Sequence, residues 1–567
     1  MNANHLKPLR LWPGIVIVIL QWILRFVIPA IFPDALILGI ISGVLLGLGV
    51  IIWWAFFSRA PMFERWTAIL LMVIAIIATR QILDKSIATA MIGMMFYFYS
   101  IPVLSIAFVV LAVSSRKLGQ NLRRISMLGT ILIASGFWTL MRTNGMDGQS
   151  HQYFAWRWAR TSEELLISNQ GNKLISSTTE TTAMADEAQW PGFRGLHRDG
   201  IIHGPKIKTD WAKSPPAEIW HKAVGPGCGS FAIQGGHLYT QEQRGEYELV
   251  TCYNLLNGEL LWKHADSTRF WDSHAGAGPR STPCLSMGRV FTLGATGLLN
   301  VLDAATGNVL WSRNAEKDNH IKLPGWGYAG SPLVVDSLVI ISISGRIAAY
   351  NILSGSKIWS GSDTGECYSS PHLLKLGGTE QIVFMSDEGT SSFSIRDGKV
   401  LWKIPLKGSP IVQPAVINEN ELLVNAGVYT KELRHFVINK VDSGWTTKEL
   451  WASTKLRPDF NDLIVHKGNV YGFEGASLAC IDLAKGERKW KGARYGGQIL
   501  LLADQDLLIV LSEKGELALV KATPEKFEEL ARIPAIKGKT WNHPVLVGNV
   551  LVVRNSEEMA AFRLARD

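Results

Sequence analysis

Beyond residue 225, small polar residues recur just ahead of short apolar runs, often followed by proline. They are Ser230, Ser281-Thr282-Pro283, Gly330-Ser331-Pro332, Ser369-Ser370-Pro371, Gln413-Pro414, Asn461-Asp462, Gln498 and His543-Pro544. Around them lie Arg280, Trp326, Tyr328, Tyr368, Arg494, Tyr495, Lys539, Trp541 and Asn542. Brought to one place, Arg280, Arg494 and Lys539 could hold carboxylates by charge-assisted hydrogen bonds. Trp326 or Trp541 could stack on a flat ring. Asp462 is the only acid in the set. A plainer reading is open: Ser331, Ser370, Gln413, Asn461 and Gln498 satisfy backbone groups at strand starts. His543, beside Trp541-Asn542, reads as a hydrogen-bonded structural histidine.

The elements that must position these residues are marked by tryptophan. In Asp303-Ala304-Ala305-Thr306-Gly307-Asn308-Val309-Leu310-Trp311, Gly lies four before Trp and Asp eight before. The offsets recur as Asn254, Gly258, Trp262; Asn351, Gly355, Trp359; and Asp482, Gly486, Trp490, while Ser394, Gly398, Trp402 keeps the Gly and Trp. An Asx side chain and a positive-φ glycine serve a tight turn, and the next strand ends in a ring that needs burial. Further units end at Trp220, Trp451 and Leu530. Spacings of roughly 40–50 residues with four strands each are those of propeller blades. Eight ends predict eight blades, the last closed by an outer strand from about 215–223, which removes open edges.

This repeat resembles the pyrroloquinoline quinone (PQQ) type of β-propeller, whose Trp docks on the neighbouring blade. Trp190-Pro191-Gly192-Phe193-Arg194-Gly195 and Arg198-Asp199-Gly200 are similar to the start of bacterial extracytoplasmic members. The family holds both enzymes and binding scaffolds. If this chain were a quinoprotein, the resemblance implies PQQ with calcium as cofactor, Asp462 as the base taking a substrate hydroxyl proton, and Asn461 as a calcium ligand.

The first part of the chain is different. Apolar runs cover about 11–32, 35–57, 66–83, 91–114 and 125–142, each long enough to cross a ~30 Å hydrocarbon core. Residues 1–150 carry 12 Lys+Arg against 4 Asp+Glu, which leaves 45 against 44 in the rest. The net charge of +9 is therefore topogenic rather than a nucleic-acid face. Lys7, Arg10, Arg59, Arg65, Arg116, Lys117, Arg123 and Arg124 mark the cytoplasmic loops. An odd number of crossings then sets the propeller outside, as in membrane-bound quinoprotein glucose dehydrogenase, whose layout this chain resembles. Residues 151–168 are expected to form an interfacial helix, and 169–189 a flexible tether. Five cysteines, none adjacent or two apart, give no metal or haem motif.

The expected organisation is a helical membrane domain at 1–142, a juxtamembrane helix and tether at 143–189, and an all-β eight-bladed propeller at 190–567. At about 47 residues per blade, the propeller leaves little chain for the walls of a catalytic cavity. The favoured expectation is an envelope scaffold that binds a protein partner or small ligand. The alternative is a dehydrogenase passing electrons from a sugar or alcohol to membrane quinone.

Overall fold

The computed structural model describes residues 9–148, 151–169, 189–406, 411–426 and 432–567. The chain forms two compact units, Met1–Ala159 with Asp272–Gly276, and Arg160–Trp271 with Ala277–Asp567.

The first unit is a helical bundle. Four helical stretches are long and apolar enough to cross a bilayer: Trp12–Ile31, Leu36–Phe57, Met62–Ile82 and Met95–Lys117. The fifth expected run differs. Its helix, Gln120–Gly136, is 17 residues and opens with Arg123 and Arg124, both close to the buried Glu64. It continues as a short 3-10 turn, Phe137–Leu140. The interfacial helix expected at 151–168 is corrected as well. Gln152–Trp156 is a strand paired antiparallel with Met141–Met146. Helix begins only at Ser162, where Thr161 and Glu164 form a reciprocal capping box.

That helix, Ser162–Asn169, belongs to the second unit. Glu163 receives both terminal nitrogens of Arg269, at 2.7 and 2.9 Å, and the N–H of Gly245 at 2.8 Å. Leu166 is buried beside them. The stretch expected to be a tether, apart from its ends, lies outside the described residues.

The rest of the second unit is an eight-bladed β-propeller. In chain order the blades begin with inner strands Ala232–Gln234, Cys284–Ser286, Leu333–Val335, His372–Leu376, Ala415–Asn418, Ile464–His466, Gln498–Leu502 and Val545–Val547. The four strands of each blade pair antiparallel. The eighth takes its outer strand from Ala217–Ala223, which pairs with Glu558–Arg563 and joins the two ends of the ring. Trp220, Trp262, Trp311, Trp359, Trp402, Trp451, Trp490 and Leu530 all lie in outer strands.

The repeat works as a latch between blades. Gly258, Gly307, Gly355, Gly398 and Gly486 all have φ between +67° and +73°. On each lies the tryptophan of the preceding blade, Trp220, Trp262, Trp311, Trp359 and Trp451, so close that a Cβ would sit 2.4–2.8 Å from the ring. Glycine is required twice over, by the turn and by the ring. The indoles of Trp220, Trp262, Trp311, Trp359, Trp451 and Trp490 donate to a carbonyl of the next blade at 2.7–3.1 Å. Trp402 differs because the following blade turns through a longer hairpin, Leu433–Val441 and Gly444–Ser453. Its N–H turns back to Gln381 at 2.6 Å.

Trp262→Ala should lower propeller stability by about 3–5 kcal/mol, and Gly307→Ala by more than about 1 kcal/mol. Denaturant unfolding of the purified chain followed by tryptophan fluorescence measures both. Deleting 190–223 should abolish the cooperative transition, because the eighth blade loses its outer strand.

Candidate functional site

The polar openings form a closed girdle around the channel. The first five inner strands are entered through a backbone N–H that bonds to a side-chain oxygen of the next blade. Ser230 donates to Thr282 Oγ1, Thr282 to Ser331 Oγ, Ser331 to Ser370 Oγ and Ser370 to Gln413 Oε1, each at 2.9 Å. Gln413 donates to Asp462 Oδ1 at 3.0 Å. Asn461 reaches Gly497 O, Gln498 reaches the carbonyls of Phe460 and Trp541, and Asn542 reaches those of Gly227 and Gly229. The Ser230 hydroxyl returns to His543 O. Side chains at this level therefore serve backbone satisfaction, and the small polar types follow from that task.

Two buried arginines fill the channel beneath the girdle. The lead-in segment 190–200 turns there, with Arg194 and Arg198 at φ +57° and +56°. Arg198 donates to the carbonyls of Ser331, Pro332 and Pro371. Arg194 donates to those of Arg198, Asp199 and Leu463, and its Nε lies 3.5 Å from Asp462 Oδ2. His543 Nε2 lies 3.1 Å from the same oxygen. Burial alone would raise the Asp462 carboxyl, but Arg194, His543 and the Gln413 amide bring it down to about 2. Burial holds His543 below its usual range against the pull of Asp462. His372, bonded to Gln413 at 3.0 Å, is pushed down to about 3 by burial and the two arginines. Arg194, Arg198 and His372 escaped the sequence reading. The two arginines set among Gly192, Gly195 and Gly200 were the available signal.

On the face where the loops lead into the inner strands, aromatic pairs surround the channel. Trp326 packs on Tyr368 at 4.9 Å, and Phe460 on Trp541 at 5.1 Å. Lys539 stands 4.3 Å above the Trp541 ring, whose N–H goes to Glu513. Arg280 lies over Phe270 at 5.2 Å and reaches Cys228 Sγ at 3.6 Å. Tyr328 is not part of this mouth: it is 1% exposed and packs in the core, its hydroxyl toward Ile321 O. Arg494 ends the exposed outer strand Arg488–Arg494 of the sixth blade. Tyr495 is buried, its hydroxyl on Glu529.

The surroundings of Asp462 do not fit the catalytic base of a quinoprotein. Both Asp462 oxygens are engaged, and a carboxylate at about 2 is a poor base near neutral pH. The Asn461 amide nitrogen donates to Gly497 O, which fixes the plane of the side chain. Among the described residues, no three His, Cys, Asp or Glu side chains are grouped to hold a metal.

The opposite mouth is half filled. The lead-in segment occupies the side of the first, second and seventh blades. A cavity of about 570 Å³ remains along the third to sixth, lined by Leu333, Leu373, Lys375, Val416, Glu419 and Val465 among others.

Comparison with known proteins bears on this geometry. Residues 246–492, less than half the chain, match the PQQ_2 family, described as outer membrane protein assembly factor BamB. BamB of Shewanella oneidensis is 27% identical over 216 residues, 36% of this chain and 49% of the relative. The match thus spans about half of that protein. BamB of Xanthomonas campestris is 22% identical over 378 residues, 56% of this chain and 89% of the relative. The crystal structure of BamB from Moraxella catarrhalis superposes with a TM-score of 0.42 at 16% identity, covering 62% of this chain and 98% of that one. The quinohemoprotein alcohol dehydrogenase ADHIIG of Pseudomonas putida HK5 gives 0.48 at 14%, covering 67% and 80%.

The channel groups predict a pH profile. His372 and His543 bind protons less readily folded than unfolded, so stability falls as pH drops below about 6.5. The Asp462 contribution, present above about 4, is lost toward pH 2. Thermal melts should be flat above pH 7 and decline below it, by up to about 1.4 kcal/mol per pH unit for each titrating group. His372→Gln should flatten the upper part of that decline.

Proposed function

We propose that this chain is a membrane-anchored scaffold of the bacterial cell envelope, whose propeller captures a protein partner outside the cytoplasmic membrane. The observation that carries the reading is the commitment of Asp462 to Arg194, His543 and Gln413. The one acid of the ring serves structure, which leaves the aromatic and cationic mouth as a recognition surface. The BamB relatives support the same reading. Lys539 offers charge for acidic groups of a partner, Arg280 lies buried against Phe270, and Trp326 and Trp541 offer rings of the kind that dominate interfaces.

The anchor inserts with its N-terminus in the cytoplasm. Gln120–Gly136 and the turn Phe137–Leu140 together span about 30 Å and serve as the fifth crossing. Alkaline phosphatase fused after residue 145 should be active; a reporter active only in the cytoplasm at that point would reverse the orientation.

Lys539→Ala and Trp326→Ala should each weaken cross-linked capture of the partner at least tenfold without lowering the melting temperature. Asp462→Asn should lower stability and leave no redox activity to lose. Calcium-dependent dye reduction with PQQ, present in the wild type and absent in Asp462→Asn, would favour the quinoprotein instead.

A further inference from the structure

The half-filled mouth shows how this propeller treats the channel-facing edges of its inner strands. An inner strand pairs along one edge within its blade and turns the other to the channel, where its backbone groups need partners or water. The lead-in segment satisfies three such edges. Trp190 bridges Ile233 of the first blade through two backbone bonds of 3.1 and 2.8 Å. Leu285 N–H of the second blade donates to Pro191 O at 2.7 Å. Ile201-Ile202 then adds to the seventh blade as a fifth strand, parallel to Leu501-Leu502. Here the chain performs strand addition on itself, with two β-branched side chains set among apolar neighbours.

Among the described residues, the inner strands of the third to sixth blades receive no such addition; each pairs with one strand only. They border the 570 Å³ cavity, a volume typical of sites that enclose a ligand. His372–Leu376 of the fourth blade is the longest of these four edges. Its side chains alternate between core and channel, so that Leu373 is 37% exposed, facing Val416 at 40%. Leu196, on the lead-in segment, adds a third exposed apolar side chain to the wall. Polar groups stand at the rim: His197, Asp199 and the Lys375–Glu419 pair at 3.1 Å. Apolar walls, an unpaired strand edge and continuity with a filled strand-addition site meet in one groove.

We propose that this groove binds a short, extended, apolar segment of a partner polypeptide, which adds as a strand to the channel-facing edge of His372–Leu376. Main-chain bonds would supply the attachment, and Leu196, Leu373 and Val416 would select β-branched or aliphatic side chains. The site lies across the girdle from the aromatic mouth and does not depend on what that mouth recognises.

The test uses the full chain in detergent or nanodiscs. The probes are fluorescent hexapeptides with two adjacent β-branched residues, led by the chain's own 199–204 sequence. Saturable binding is expected, falling at least tenfold when alternate peptide nitrogens are methylated and at least tenfold in Val416→Glu or Leu373→Glu. Both variants place the charge at a partly exposed position, and an unchanged melting temperature qualifies them. Hydrogen exchange should show new protection at 372–376. Lys539→Ala should leave peptide binding unchanged, which separates this site from the mouth of the proposed function. Absence of saturable binding across the panel, or binding indifferent to N-methylation, overturns the proposal.

Discussion

The propeller depends on one contact repeated around the ring: an indole laid on the bare Cα of a turn glycine in the next blade. The contact joins neighbours that share few backbone hydrogen bonds. It sets each blade's place through both a packed ring and a directed N–H, so the sheets cannot slide without breaking both. The Asx side chain contributes by holding the turn in shape. Asn254, Asp303, Asn351 and Asp482 each accept the N–H three residues on, at 2.7–3.2 Å. Where the turn changes, in the fifth blade, the preceding Trp402 seeks a partner in its own sheet.

A ring built this way leaves a channel lined with strand starts, and the polar girdle answers the resulting demand for hydrogen bonds. Buried carbonyls that point into the channel are met from below by guanidinium groups. Arg198 alone serves three of them, from two blades. A cation surrounded by carbonyl dipoles needs less compensation than one in an apolar site. The single carboxylate that balances the pair, Asp462, is correspondingly held in its charged form.

The ring was legible in the sequence because its latch needs two residue types at a fixed offset, and few other arrangements demand both. The closing strand could be inferred from bookkeeping: an outer strand without a blade before Trp220, and a blade without an outer strand at the end. The girdle could be read as a set of strand starts, since Thr282, Ser331, Ser370, Gln413 and His543 each stand directly before a proline. The fate of single side chains was less accessible. Tyr328 turns into the core because Gly297 leaves room for its ring only there, a contact between residues 31 apart. Arg494 ends an outer strand, not an inner one. Arg194 and Arg198 reach it only because their left-handed backbone folds the lead-in segment on itself, which local composition does not reveal. The strand at Gln152–Trp156 was hidden because its aromatic residues suit an interfacial helix equally well.

The closing strand has a consequence for the order of events as the chain is made. Ala217–Ala223 leaves the ribosome before any blade exists, yet its partner, Glu558–Arg563, is made only after the other seven blades. The arginines of the lead-in segment must likewise wait for Leu463 and Pro371. Seven blades can form from local hairpins as they emerge, each latching to the one before. The first strand stays unpaired until Glu558–Arg563 has been made, and contacts of such long range close slowly. During that interval Ala217–Ala223 and the lead-in segment keep their pairing edges exposed, and any contact made there competes with closure of the ring.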